Sequence, residues 1–234
     1  MTRAADIIAQ KLYEAGSRHA FGIPGGEVLT MVDALEDAGL SFQLVKHENN
    51  GGFIAEGTYH ATGAPGILLA TIGPGVVNAI NVITNAWQDQ VPMIFITGCI
   101  DAAEAQYFTH QVFDHTKVLT PVTKASFTVA EGAVETTIEK ALAIAMEGRP
   151  GPVHLDLPIS TAKARETVNR PARRSKPAPM APAPGPDWDA ACQALSDAER
   201  PLIIAGVDVL HHHAADCVAD MARRFSIPVL TTYK

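Results

Sequence analysis

Little in this sequence suits contact with nucleic acid or with an anionic membrane. Eighteen Lys and Arg stand against 25 Asp and Glu, giving a net charge of −7 and a pI near 5.7. A basic footprint for phosphate groups is therefore missing. Cysteine is scarce. Cys99, Cys192 and Cys217 are too few and too scattered for a disulfide framework or a zinc knuckle, and they read as free thiols in a reducing compartment. Residues 1–20 contain Arg3, Asp6, Lys11, Glu14 and Arg18, which excludes the apolar core of a signal peptide. No apolar run approaches the roughly 18 residues that a membrane helix needs. These absences predict a cytoplasmic protein with no nucleic-acid and no membrane partner. Aromatic residues are only 6% of the chain, so Ala, Val and Ile must carry its core.

What is present is ordinary globular material. Hydrophobic residues make up 47% and charged residues 18%, which excludes a disordered chain. With 18 Gly and 16 Pro, many short elements joined by tight turns are favoured over a helical bundle. A length of 234 residues allows one large domain, or one domain plus part of another.

Helix-like and strand-like segments alternate. Ile7, Ile8, Leu12 and Ala15 fall at helical spacing and Gly16 closes that helix. A strand is predicted at 19–21, a helix ending near Gly39, a strand at 42–46, and a helix over 50–62 stopped by Gly63. Gly66 to Thr71 and Pro92 to Thr97 are nearly all apolar, as expected of parallel strands buried on both faces. Helices are predicted over 76–87 and 131–146, and a strand over 152–157. The expected fold is therefore α/β, a mainly parallel sheet flanked by helices on both faces. Residues 98–128 read as a long irregular stretch of the kind that carries function.

The chain changes character at 162–187, where six prolines fall between Pro171 and Pro186 among several Arg and Lys. This reads as a semi-stiff linker between a domain over 1–161 and a second α/β unit over 188–234. Two predicted strands and two predicted helices in that unit cannot close a sheet edge, so it is expected to be incomplete.

Three turns could carry chemistry. Lys46-His47-Glu48 lies where a strand ends and a helix begins, the end of an open parallel sheet at which ligands bind. Glu48 there is either a catalytic carboxylate or simply a helix-initiating acid. Thr71 to Asn78 contains Gly73-Pro74-Gly75, which permits close backbone approach to a ligand but equally serves a plain strand-to-helix turn. It has neither the Gly-x-Gly-x-x-Gly spacing of a dinucleotide site nor the Lys-Ser/Thr of a phosphate loop. Phe21 to Gly26 repeats the geometry one unit earlier, and the coincidence of the three turns matters more than any one of them. His211-His212-His213 reads as a solvated loop and no metal-ligand set is found. His110 and His115, with Gln111 and Asp114, remain open between loop residues and substrate contacts.

At these residues the sequence resembles the thiamine-diphosphate-dependent enzymes of the acetolactate synthase, pyruvate oxidase and 2-oxo-acid decarboxylase group. Phe21-Gly22-Ile23-Pro24-Gly25-Gly26 resembles the opening loop of their pyrimidine-binding domain, His47-Glu48 their catalytic glutamate motif, and Gly73-Pro74-Gly75 with Asn78 their Gly-Pro-Gly-x-x-Asn turn. Pro92 to Gly98, Pro121 to Lys124 and Gly148 to Pro158 are further similar stretches. Beyond the linker, Arg200 to Gly206 and Ile227 to Thr232 resemble the start of the central domain.

The resemblance implies thiamine diphosphate as cofactor, with Glu48 hydrogen-bonded to N1′ of its aminopyrimidine ring as the catalytic residue. Gly25 and Gly26 would border that ring, and Gly73 and Asn78 would shape the turn beneath it. Gln111 would face the substrate. Where the synthases usually have Phe-Gln-Glu, this chain reads His110-Gln111-Val112, which is reminiscent of the decarboxylase branch. The implied activity is acetolactate-synthase-like decarboxylation and carboligation of 2-oxo acids, with a non-oxidative decarboxylase or a catalytically silent domain as alternatives. Magnesium would be bound by a Gly-Asp-Gly region absent from this chain, and FAD is left open. A homodimer or homotetramer with a site shared between subunits is implied. On this reading the chain is an N-terminal piece, or works with another polypeptide, and does not catalyse alone.

Overall fold

The computed structural model describes residues 1–167 and 182–233. The chain divides into two compact units, Met1–Arg173 and Arg174–Lys234. In the first unit, β1 (Thr2–Arg3) leads into α1 (Ala4–Glu14), followed by β2 (His19–Ile23), α2 (Leu29–Asp37), β3 (Ser41–Leu44) and α3 (Glu48–Thr62). Then come β4 (Gly66–Ala70), α4 (Pro74–Gln88), β5 (Met93–Cys99), α5 (His115–Leu119) and β6 (Ala125–Thr128). The unit finishes with α6 (Val134–Met146), β7 (Pro152–Pro158), α7 (Ile159–Lys163) and β8 (Arg165–Glu166).

Six of these strands form one parallel sheet in the order β3-β2-β4-β5-β7-β6. The expected α/β architecture is thus the observed one. Alternation along the central strands explains the two layers of helices. Ile67, Leu69, Ile94 and Ile96 join the core beneath α1, α2 and α6. Leu68, Ala70, Met93 and Phe95 point the other way, into a second core formed with α3 and α4. With both faces covered, every residue of β4 is buried. The α3–α4 pair packs closely because Gly52 has no side chain: a Cβ there would lie 2.2 Å from Val82 Cγ1.

The topology also fixes where a ligand can bind. β3 lies on one side of β2, and α3 then carries the chain back across so that β4 lies on the other side. This reversal of strand order opens a crevice beyond the carboxyl ends of β2 and β4, the general ligand position in open α/β sheets.

Several elements differ from the sequence expectation. α3 begins at Glu48 rather than Asn50, because His47 caps it by accepting a hydrogen bond from the Asn49 amide. Within the stretch read as irregular, α5 and β6 are ordered. α5 is too short to display a helical period and starts on Asp114, whose side chain accepts from Lys117 N. β6 is a four-residue strand at the sheet edge, only partly buried, with no apolar run to announce it. Of the segment read as linker, residues 168–181 lie outside the described residues. At its start, Ala162 and Lys163 complete α7, and Arg165–Glu166 pair with Thr2–Arg3.

The second unit contains α8 (Pro186–Asp197), β9 (Ile203–Ala205), α9 (Asp208–His211), α10 (Ala215–Phe225) and β10 (Val229–Thr231). Its two strands pair in parallel, Ile203 opposite Val229. Among its described residues Ile227 is buried, whereas Leu202, Ile204, Leu210, Phe225 and Leu230 are exposed. Among the described residues of both units, no helix is long and apolar enough to cross a membrane.

Candidate functional site

Three chain segments meet beyond the strand ends. β2 runs into Pro24-Gly25-Gly26-Glu27, β3 into Val45 to His47, and β4 into Thr71 to Gly73. Glu48, the first residue of α3, is only 4% exposed. The unpaired amides at a helix start favour a carboxylate there. Asn78, one turn into α4, donates from Nδ2 to Glu48 Oε2 at 3.1 Å. Oε1 lies over Gly75, where a Cβ would come within 3.2 Å of it.

Thr71 links this carboxylate to the loop after β2. A Cβ on Gly75 would lie 3.3 Å from Thr71 Cγ2, and one on Gly25 only 2.2 Å from Thr71 Oγ1. The same hydroxyl donates to Glu27 Oε2 at 2.6 Å. Gly26 is exposed, and a Cβ there would meet no atom within 4 Å. Gly73 adopts φ 68°, the left-handed region that favours glycine, and a side chain there would strike Gln111 at 2.7 Å. Gly73, Pro74, Val77, Asn78, Gln111 and Phe113 line a cavity of about 410 Å³.

Glu48, Gly73, Asn78 and Gln111 are therefore neighbours, Gly25 joins them through Thr71, and Gly26 flanks the group. His110 is exposed, and among the described residues no hydrogen bond ties it to Glu48. His115 is not a loop residue open to a substrate: it is 2% exposed and faces inward. Its Nδ1 lies 2.9 Å from Asp156 Oδ1, and its Nε2 accepts from Gly73 N at 3.3 Å. Nor is the histidine triplet wholly a solvated loop. His211 ends α9 with its ring only 10% exposed, 3.8 Å from Asp208, while His212 and His213 are exposed. Among the described residues no group of three or more His, Cys, Asp or Glu is arranged to hold a metal. Burial beside Asp156 pushes the Cys99 thiol up, away from use as a nucleophile.

Behind the turn lies a buried polar network. Thr97 donates to Asp156 Oδ1 at 2.7 Å and lies 2.8 Å from His154 Nε2, while Ser126 Oγ lies 2.6 Å from His154 Nδ1. Burial, with a smaller contribution from His115 and against the pull of Asp156, lowers the His154 pKa from 6.5 to about 4. The unfolded chain then binds a proton at higher pH than the folded one. The stability due to neutral His154 is complete above pH 6.5 and is lost as pH falls toward 4. Urea midpoints measured at pH 7, 5.5 and 4 should fall accordingly, and His154→Gln should flatten that part of the decline.

Sequence reasoning missed Glu27, Thr71 and Asp156 and left His115 undecided. A signal for part of this was available. Thr97 interrupts the apolar β5, His154 and Asp156 interrupt β7, and Thr97 stands directly opposite Asp156 in the sheet. Polar residues inside buried strands require partners. In the second unit, a hollow of about 430 Å³ beside β9 and β10 is lined by residues such as Val207, Leu210 and Val229, with no titratable side chain.

The chemistry of these residues fits a nitrogen heterocycle. They offer a buried carboxyl oriented by an amide, and glycines where a side chain would fill the space near it. Residues 2–118 match the family described as thiamine pyrophosphate enzyme, N-terminal TPP binding domain, and residues 188–234 match its central domain. The chain is 32% identical over 232 residues to an acetolactate synthase of Mycobacterium bovis, covering 97% of this chain and 38% of that protein. It is 31% identical over 236 residues to an acetolactate synthase large subunit of Buchnera aphidicola, covering 97% and 41%. A probable acetolactate synthase large subunit of Methanocaldococcus jannaschii is also 31% identical over 236 residues, with coverage of 98% and 40%. The chain thus spans roughly two fifths of the length of these relatives.

Proposed function

Because this chain belongs to the thiamine pyrophosphate enzymes, we propose that its first unit holds the aminopyrimidine end of thiamine diphosphate for decarboxylation and carboligation of 2-oxo acids. The observation that carries this reading is the buried Glu48 carboxyl, oriented by Asn78 at the point where the strand order reverses. When bound, thiamine diphosphate supplies the nucleophilic carbon and the electron sink that decarboxylation of a 2-oxo acid requires.

The residues of this chain bind, orient and move a proton. Glu48 would hold or pass a proton at one carboxyl oxygen, toward the ring nitrogen of the bound cofactor. Asn78, donating to Oε2, keeps the carboxyl from rotating away. Gly25 and Gly75 let the turns close on Thr71 and Glu48, where a side chain would collide, Gly26 leaves open space beside them, and the Gly73 turn would support the ring from the side of α4. Exclusion of water by the α3–α4 core would strengthen a hydrogen bond from the Glu48 carboxyl to a bound ring. Gln111, which lines the cavity beside Gly73, would face the substrate, with the exposed His110 next to it in the chain. In this reading the diphosphate and its magnesium are held by protein outside these 234 residues, and the site is shared between subunits of a homo-oligomer. The exposed Phe53, Ile54 and Val77 on α3 and α4 support such an apolar contact.

A non-oxidative decarboxylase is the second reading, favoured by His110-Gln111-Val112 in the loop beside Gly73. Products formed from pyruvate separate the two. The assay uses the chain assembled with its diphosphate-binding complement, thiamine diphosphate and magnesium. Acetolactate is the expected product. Free acetaldehyde alone overturns carboligation in favour of the decarboxylase, and no turnover with intact binding points to a silent domain.

A further inference from the structure

With Asp156 ionised and His154 neutral, as its burial favours, the polar network behind the turn has one proton arrangement, because an ionised carboxylate can only accept and a neutral imidazole carries one proton. Thr97 and His115 must then donate to Asp156 Oδ1. Having spent its single proton there, Thr97 Oγ1 accepts from His154 Nε2–H, and His154 Nδ1 accepts from the Ser126 hydroxyl. His115, with its proton on Nδ1, presents a bare Nε2 to the amide of Gly73. A chain of hydrogen bonds thus runs from β6 through β7 and β5 to the turn after β4. It ends on a residue held in the left-handed region, at the cap of the helix that carries Asn78.

We propose that His115, oriented by Asp156, is a positioning residue: by accepting from the Gly73 amide it fixes the turn and the start of α4, and so places Asn78 against Glu48. The importance of this placement rests on the reading of Glu48 as the cofactor-facing group. Three observations support it beyond the bond itself. His115 is buried, so the ring serves something inside the protein. Gly73 also packs against the Gln111 backbone, so α5 and the loop before it are seated on the turn at two points. Phe113 meets the His115 ring edge-on at 4.8 Å, which restricts its rotation.

Two variants of the 234-residue chain separate positioning from packing. His115→Asn keeps a donor where Nδ1 stood, toward Asp156, and removes the acceptor for Gly73. His115→Gln puts an amide oxygen near the former Nε2 and gives up the Asp156 bond. Both lose stability to urea. Hydrogen exchange of the Gly73 amide, read by NMR, should quicken about five- to ten-fold in His115→Asn, the range for one lost hydrogen bond. In His115→Gln it should stay near the wild-type rate, with the Asn78 side-chain amide resonances shifting only in His115→Asn. Equal exchange in the two variants, or unchanged exchange in both, overturns the proposal. The measurement needs no cofactor, so it stands even where the wild-type product assay fails and the cofactor reading falls.

Discussion

In the proposed reading, Glu48→Gln in the chain assembled with its diphosphate-binding complement, thiamine diphosphate and magnesium should lower turnover of pyruvate by about 10²- to 10⁴-fold, the usual worth of a positioned proton-transfer group. The change removes a proton site and little else. Glutamine has the shape of glutamate, and its amide oxygen can still accept from Asn78 Nδ2 where Oε2 does now. The buried site keeps its shape and its hydrogen bond in the variant, since an amide oxygen replaces the carboxyl oxygen that Asn78 bonds. Stability of the variant should therefore lie within about 1 kcal/mol of wild type. Loss of activity with unchanged urea unfolding is the expected pair of results. Full activity would remove Glu48 from the chemistry, and a loss of stability matching the loss of activity would make it a structural acid at the start of α3.

The second large effect belongs to the scaffold of the crevice. Gly22 in β2 stands opposite Leu69 in β4, and a Cβ on Gly22 would lie 2.0 Å from the Leu69 carbonyl oxygen. That neighbour is backbone in the most buried strand, so it cannot swing aside as a flexible side chain could. Gly22→Ala must part β2 from β4 where the strand order reverses, and should cost about 3 kcal/mol, at the upper end of overpacking penalties. For a chain of this size that is a fall of about 6–12 °C in Tm. Gly26→Ala, four residues on, meets no atom within 4 Å and should stay within about 0.5 kcal/mol of wild type. Thermal unfolding of the two variants side by side tests the contrast, and similar Tm values for both would contradict it.

How much of this could be seen in the sequence depended on how local each signal was. The buried parallel strand β4 announces itself as an unbroken apolar run and β5 as one broken only at Thr97, and Gly63, observed at φ 73°, marks the end of α3 as a left-handed cap should. Glu48 was legible because a strand, a turn and a helix follow one another within a few residues. β6 was not, since a short, half-buried edge strand needs no hydrophobic run and takes its pairing from β7, more than twenty residues later. His115 and Asp156 are 41 residues apart, and Thr97 and Asp156 are 59 apart. No spacing rule joins such residues; the sheet register does. The Glu48–Asn78 contact is equally non-local, 30 residues apart, and the resemblance pointed to Glu48 through the His47-Glu48 motif and to Asn78 through the Gly-Pro-Gly turn without pairing them.

The central claim is that the crevice beyond β2 and β4 holds the aminopyrimidine ring with its nitrogen on Glu48. The most direct measurement is ¹⁵N NMR of thiamine diphosphate labelled at N1′, bound with magnesium to the chain assembled with its diphosphate-binding complement, as wild type, as Glu48→Gln, and as Glu14→Gln for an exposed control on α1. The account predicts that binding to wild type and to the Glu14 variant shifts the N1′ resonance in the direction of protonation, and that Glu48→Gln abolishes this shift while the ligand still binds. The same N1′ resonance in all three bound forms would contradict it.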